Sequence, residues 1–135
     1  MISQISIYAE NRKGAMSAIT RILAGGGINI HSFVTNDSAE FGIIRMLVSD
    51  TERACELLRD AGYLFKKTRV MAVAIPDEPG SLDRLLDCIE RANINIDYLY
   101  TSFERDSAGP VIAIHADDMD ELETFLKGNG FHCQA

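Results

Sequence analysis

Polar and apolar residues alternate along Gln4-Ile5-Ser6-Ile7, the period-two signature of a strand with one face in water. The period then changes. Met16, Ile19, Ile22 and Leu23 recur at helical spacing, and Gly25-Gly26-Gly27 supplies the stop. Two β-rich runs follow, at 28–35 and 41–48, around a polar turn at Asn36-Asp37-Ser38. Ser49 stands three residues before Glu52, the spacing of a capping box, so a second helix is expected from there. Ala54, Leu57, Leu58 and Ala61 form its predicted stripe, Gly62 its end, and 63–67 a closing strand.

The same order then returns. Val70-Met71-Ala72-Val73-Ala74-Ile75 reads as a strand apolar on both faces, and Leu82, Leu85, Leu86 and Ile89 form a helical stripe. Asp118 and Glu121 restate a cap before Leu122, Phe125 and Leu126, and Gly130 precedes a last strand at 131–134. Gly14 and Gly80 lie 66 positions apart, as do Asn29 and Asn95, and Thr35 and Thr101. Gly42 matches Gly109 and Asp50 matches Asp117 at 67, implying a one-residue insertion. A sequence repeat is a structural unit used again. Each copy reads strand, helix, strand, strand, helix, strand. That predicts an α+β fold of two ferredoxin-like βαββαβ modules in tandem, 1–68 and 69–135, each an antiparallel sheet with its helices on one face.

Modules this small bury only roughly 60% of their unfolded surface, so they are expected to pack on each other, on a second chain, or both. No linker intervenes, because Lys66-Lys67-Thr68-Arg69 passes directly from one strand into the next. The doubly apolar strand needs a cover on the face its helices leave bare. A sheet from a second chain is the expected cover, which makes a homodimer.

Charge narrows the partners. Residues 1–68 carry 8 basic and 7 acidic side chains, whereas 69–135 carry 5 and 13, for a net charge of −7. An acidic chain repels phosphate backbones, so nucleic acid is an unfavourable partner. No apolar run approaches the ~20 residues of a membrane span, and the first residues lack the pattern of a signal peptide. Three cysteines without CxxC spacing suit reduced thiols, so a cytoplasmic location is expected.

Candidate chemistry lies where the first strand of each copy hands over to a helix. Asn11-Arg12-Lys13-Gly14 and Asp77-Glu78-Pro79-Gly80 occupy those positions. A helix start leaves amides free and carries about half a positive charge, while Gly admits close approach by a carboxylate. Pro79 fits a first turn, where its missing N–H is no loss. The alternative reading is structural, with Asn or Asp as simple caps and Asn29 and Asn95 as turn residues. Joint recurrence in both copies favours a ligand. Arg12 and Lys13 flank the first loop and Asp77 and Glu78 the second, so a carboxylate should prefer the first.

This arrangement, N/D-x-x-G, an apolar helix, then Asn29-Ile30 or Asn95-Ile96 opening two strands and a second helix, resembles the ACT domain in tandem over essentially the whole chain. The resemblance implies a non-catalytic regulatory protein that binds a small amino acid at module interfaces and modulates a separate metabolic enzyme or transporter. It implies one strong site at Asn11, Arg12, Lys13, Gly14, Ala15 and Met16, completed from the neighbouring module by Asn95. A weaker site is implied at Asp77, Glu78, Pro79, Gly80, Ser81 and Leu82, with Asn29. No cofactor is implied. The family's occasional His two residues before the loop is Ala9 here and Ile75 in the second copy, and Lys13 replaces a frequent Pro.

Other signals point elsewhere. His132 and Cys133 are strand neighbours facing opposite ways, and no metal-ligand spacing accompanies His31 or His115. Phe41-Gly42-Ile43-Ile44 echoes an RNA-recognition strand without its basic residues. The stripes Met16/Ile19/Leu23 and Leu82/Leu85/Ile89 are expected to be core. An acylphosphatase-like hydrolase would need more basic phosphate ligands than Arg12 and Lys13, and a purely structural dimerisation module would leave both loops as caps.

Overall fold

The computed structural model describes residues 1–10, 12–35, 41–103 and 109–134, and the chain forms two compact units, Ser3–Thr68 and Arg69–Ala135, the latter including Met1–Ile2. The first contains β1 (Ile2–Glu10), α1 (Ala15–Gly25), β2 (Ile30–Thr35), β3 (Phe41–Val48), α2 (Thr51–Asp60) and the start of β4 (Leu64–Ala74). Its strand order is β2-β3-β1-β4. The second continues β4 and adds α3 (Ser81–Arg91), β5 (Ile96–Ser102), β6 (Val111–Ala116), α4 (Met119–Gly128) and β7 (His132–Gln134). There β4 pairs with both β6 and β7, and β5 lies beyond β6. Each unit is thus a βαββαβ ferredoxin-like sandwich. The expected closing strand of one and opening strand of the other are a single strand, β4, whose eleven residues include no glycine or proline to break it.

Each unit has its own core. Ile5, Ile7, Ile19, Leu23, Ile44, Met46, Ala54 and Leu58 cluster in the first, and Met71, Val73, Leu85, Ile89, Ile112, Ile114, Leu122 and Leu126 in the second. The strand residues among these alternate along β1, β3, β4 and β6, as residues on one face of a sheet must, and the others lie on the helices packed against that face.

Strand register corrects the repeat. Ile5, Ile7 and Ala9 pair with Met46, Ile44 and Gly42, while Met71 and Val73 pair with Ile114 and Ile112. The offset is therefore 66 before the β2–β3 connection and 68 after it. Gly42 corresponds to Pro110 rather than Gly109, and Asp50 to Asp118 rather than Asp117. Two residues are inserted, not one.

The expected capping box at Ser49 is also corrected. Asp50 is the N-cap of α2 and accepts from the Arg53 N–H at 3.1 Å, as Asp118 caps α4 through the Glu121 N–H at 2.9 Å. Ser49 instead tethers β2, its Oγ accepting from the Asn29 N–H at 2.9 Å while its own N–H donates to the Asn29 carbonyl. Asp117 and Asn95 make the same exchange in the second unit.

The wet face expected for β1 is dry. Gln4 and Ser6 are buried and joined by a hydrogen bond from Gln4 Nε2 to Ser6 Oγ at 3.2 Å. Val70, Ala72 and Ala113, on the corresponding side of the second sheet, are 0% exposed within one chain.

Candidate functional site

Gly14 sits at φ 85°, ψ −4°, immediately before α1, and Gly80 at φ 87°, ψ −6° immediately before α3. That left-handed conformation costs a residue with a Cβ roughly 1–2 kcal/mol, which accounts for glycine at both positions. Below Gly14 the turn is tight: the Arg12 N–H donates to the Glu10 carbonyl at 3.0 Å, and the Ala15 N–H to the Arg12 carbonyl at 3.2 Å. In the second loop the Ser81 N–H donates to the Glu78 carbonyl at 3.3 Å.

The caps divide the four helices into two kinds. Asp50 and Asp118 close α2 and α4, but neither α1 nor α3 has a side-chain cap among the described residues. Gly14 and Gly80 occupy the cap positions, so Asp77 is not a cap and Pro79 lies outside the first turn rather than in it. Asn11 lies outside the described residues, as does the Asn36-Asp37-Ser38 turn. The Met16 and Ser17 amides, in the first turn of α1, have no acceptor among the described residues. Uncapped amides at a positive helix end are suited to an anion.

Beside them is a recess of about 70 Å³ lined by Ala9, Glu10, Arg12, Ala15, Met16, Thr35, Gly42, Ile43 and Ile44. A wider groove of about 460 Å³ adjoins it, lined by Tyr8, Ala9, Glu10, Arg12, Ala15, Gly62, Tyr63 and Leu64. Of the residues expected at the first site, Arg12, Ala15 and Met16 line the recess and Gly14 shapes its approach; Lys13 is exposed beside it. Met16 corrects the core stripe, being 51% exposed, and Leu82 does the same at 41%. Both lie in the first turn of their helix.

The strand residues of the recess escaped sequence reasoning. Thr35, Gly42, Ile43 and Ile44 belong to β2 and β3, far along the chain from the loop. The recurrence of Thr35 as Thr101 was the one available signal. Asn29 and Asn95 are not brought to the loops of their own units. Asn29 precedes Ile30, which pairs with Val48, whereas the loop follows Glu10, which pairs with Phe41 at the other end of β3. Their side chains are exposed.

Electrostatics separate the loops further. Arg12 Nε lies 3.2 Å from Glu10 Oε2, an exposed pair that spends part of the positive charge expected there. Lys13 leaves the first loop with a cationic excess. The second has Asp77 and Glu78, with Asp83 in the first turn of α3 and no basic residue between 75 and 83. Asp77, Glu78, Pro79 and Gly80 are exposed, but Ser81 is 4% exposed and its buried hydroxyl has no hydrogen-bond partner among the described residues. Its counterpart in the first unit is Ala15.

Elsewhere, His115 Nδ1 lies 2.9 Å from Asp97 Oδ2 and its ring stacks on Tyr98 at 5.1 Å. Burial pushes the Cys55, Cys88 and Cys133 thiols above their ordinary range, which disfavours the thiolate of a nucleophile. Among the described residues no cluster of three or more His, Cys, Asp or Glu is placed to hold a metal, and no helix is long and apolar enough to cross a membrane.

A family model described as an ACT domain pair matches residues 1–127. Among solved structures, a protein from Bacteroides thetaiotaomicron superposes with a TM-score of 0.90 at 29% identity, covering 98% of this chain and 91% of that one. The ligand-free regulatory subunit of aspartate kinase from Thermus thermophilus gives a TM-score of 0.66 at 15% identity, covering 93% and 87%. The corresponding subunit from Thermus flavus gives 0.59 at 12%, covering 93% and 90%. No curated protein matches the sequence.

Proposed function

This chain belongs to the ACT domain pair family, and on that premise we propose that it is a non-catalytic regulatory protein that binds a free amino acid at the Gly14 loop. The observation that carries the reading is the division among the helices. Two are closed by aspartate, while α1 has no side-chain cap among the described residues and borders a recess of about 70 Å³. The ligand carboxylate lies on the Met16 and Ser17 amides, and the ammonium group faces Glu10 at the rim. The Thermus subunits, regulatory parts of aspartate kinase, support a regulatory role by fold alone. Occupancy would be read by a separate enzyme or transporter, for which a coupling of about 1–3 kcal/mol is sufficient.

The Gly80 loop is the weaker site on this reading, because its carboxylates oppose the same head group. Asn29 and Asn95, at the far ends of their own sheets, can contribute only to a loop on another module. The test is unfolding of the protein in the presence of each of the twenty amino acids. A ligand at 100 times its Kd adds about 2.7 kcal/mol of stability. At least one amino acid should give such a gain at millimolar concentration; a flat panel would leave the loops as turns and the protein as a structural module.

A further inference from the structure

The first unit concentrates its exposed apolar surface at one opening. Tyr8, Met16 and Leu64 are its exposed large hydrophobic residues among those described, at 37%, 51% and 71%, and every one lines the recess or the groove. Exposed apolar side chains are normally scattered, and their gathering around a concavity marks a binding surface. The two concavities flank the end of β1 and share Ala9, Glu10, Arg12 and Ala15 in their lining. At about 10–15 Å³ per water-sized group, the 70 Å³ recess takes the carboxylate, Cα and amine of an amino acid and little more. The 460 Å³ groove beyond it is far larger than a hydrogen or methyl side chain requires.

We propose that the groove receives the side chain of the bound amino acid, and that the ligand carries a large apolar side chain, aliphatic or aromatic. This rests on the amino-acid reading above and replaces the small ligand expected from sequence. The chemistry of the lining selects the class. Tyr8, Tyr63 and Leu64 offer ring faces and an aliphatic side chain, while Glu10 and Arg12, the charged pair at the rim, are tied to each other at 3.2 Å. A charged side chain entering there would lose hydration against an apolar wall. An aliphatic or aromatic one would gain by leaving water.

The experiment is calorimetric titration of the intact chain with glycine, alanine, serine, leucine and phenylalanine, repeated on Leu64→Glu and Tyr8→Ser. Leu64 is exposed, so its replacement puts no charge into the core, and Tyr8→Ser supplies a second variant on a different element. Leucine or phenylalanine should bind at least tenfold more tightly than glycine or alanine, since each added methylene in an apolar site is worth about tenfold or more. Leu64→Glu and Tyr8→Ser should narrow that ratio, lowering leucine and phenylalanine affinity by a larger factor than glycine or alanine affinity. Glycine, alanine or serine binding as tightly as leucine and phenylalanine overturns the groove assignment while the amino-acid reading stands. A preference for large ligands that both variants leave intact overturns it too. Binding by none of the five here, with a flat response to all twenty in the unfolding panel, removes the amino-acid reading and the groove assignment together.

Discussion

The Gly14 and Gly80 loops are one turn set in two different neighbourhoods. Their glycines share φ and ψ, both precede a helix of 11 residues, and neither helix has a side-chain cap among the described residues. Around that common backbone the side chains have diverged. Glu10 is answered by Pro76, Arg12 and Lys13 by Glu78 and Pro79, Ala15 by Ser81, and Gly42 by Pro110. Near the second loop, a Cβ on Gly109 would run into the Ile75 carbonyl, so Gly109 itself lies against the backbone there. The comparison separates two requirements. The left-handed glycine stands at the start of both helices, whereas the charge and size of the residues around it differ, and on the proposed reading it is that difference that ranks the loops.

Substituting the glycines breaks the comparison most sharply. Gly14→Val and Gly80→Val should each cost about 1–2 kcal/mol through the positive φ. Only Gly14→Val should also abolish the ligand-induced gain of about 2.7 kcal/mol at 100 Kd. Urea unfolding with and without the ligand reads both effects, and equal loss of response in the two variants would erase the distinction between the loops.

The capped helices are the control. Asp50→Ala and Asp118→Ala should each lower stability by about 1 kcal/mol. Neither should change amino-acid affinity; a weakened ligand response would relocate the site to α2 or α4. Ser81→Ala makes the second loop resemble the first and removes a buried hydroxyl that has no partner among the described residues, so stability should rise by up to about 1 kcal/mol. A loss of that size in thermal unfolding would mean that the hydroxyl is satisfied. The smallest effect is electrostatic. Arg12→Glu gives the first loop the acidic character of the second and should weaken the ligand by about 0.3–1 kcal/mol, more at low salt than at high. Affinity that ignores both the substitution and the salt would show that charge does not rank the loops.

Much of this architecture is legible in the residues. The helical stripes ending in Ile19–Leu23 and Leu85–Ile89 identify α1 and α3 because a buried face must recur at 3.6 positions. Gly14 and Gly80 stand out because only glycine takes that turn cheaply and because it appears twice. Other features needed coordinates. Ser49 and Asp50 both offer an oxygen near the start of α2, and only the backbone shows which one reaches the Arg53 amide. Periodicity assigns Met16 to the core, yet it does not tell that this first-turn residue is left half-exposed at a recess. Tyr8, Tyr63 and Leu64 meet at the groove from β1, from the residue before β4 and from the start of β4, a tertiary juxtaposition with no local signature. The burial of Gln4 and Ser6 was likewise hidden, since a polar side chain in an alternating pattern reads as solvent-facing.

The most direct measurement is the movement of individual backbone amide signals in NMR spectra as the best-binding amino acid is added. The account predicts that Met16 and Ser17 respond first and most strongly, that Leu82 and Asp83 respond only at higher concentration, and that Arg53 and Glu121, already bonded to their aspartates, stay in place. Simultaneous, equal saturation of the α1 and α3 amides, or a response centred on Arg53 or Glu121, would contradict it.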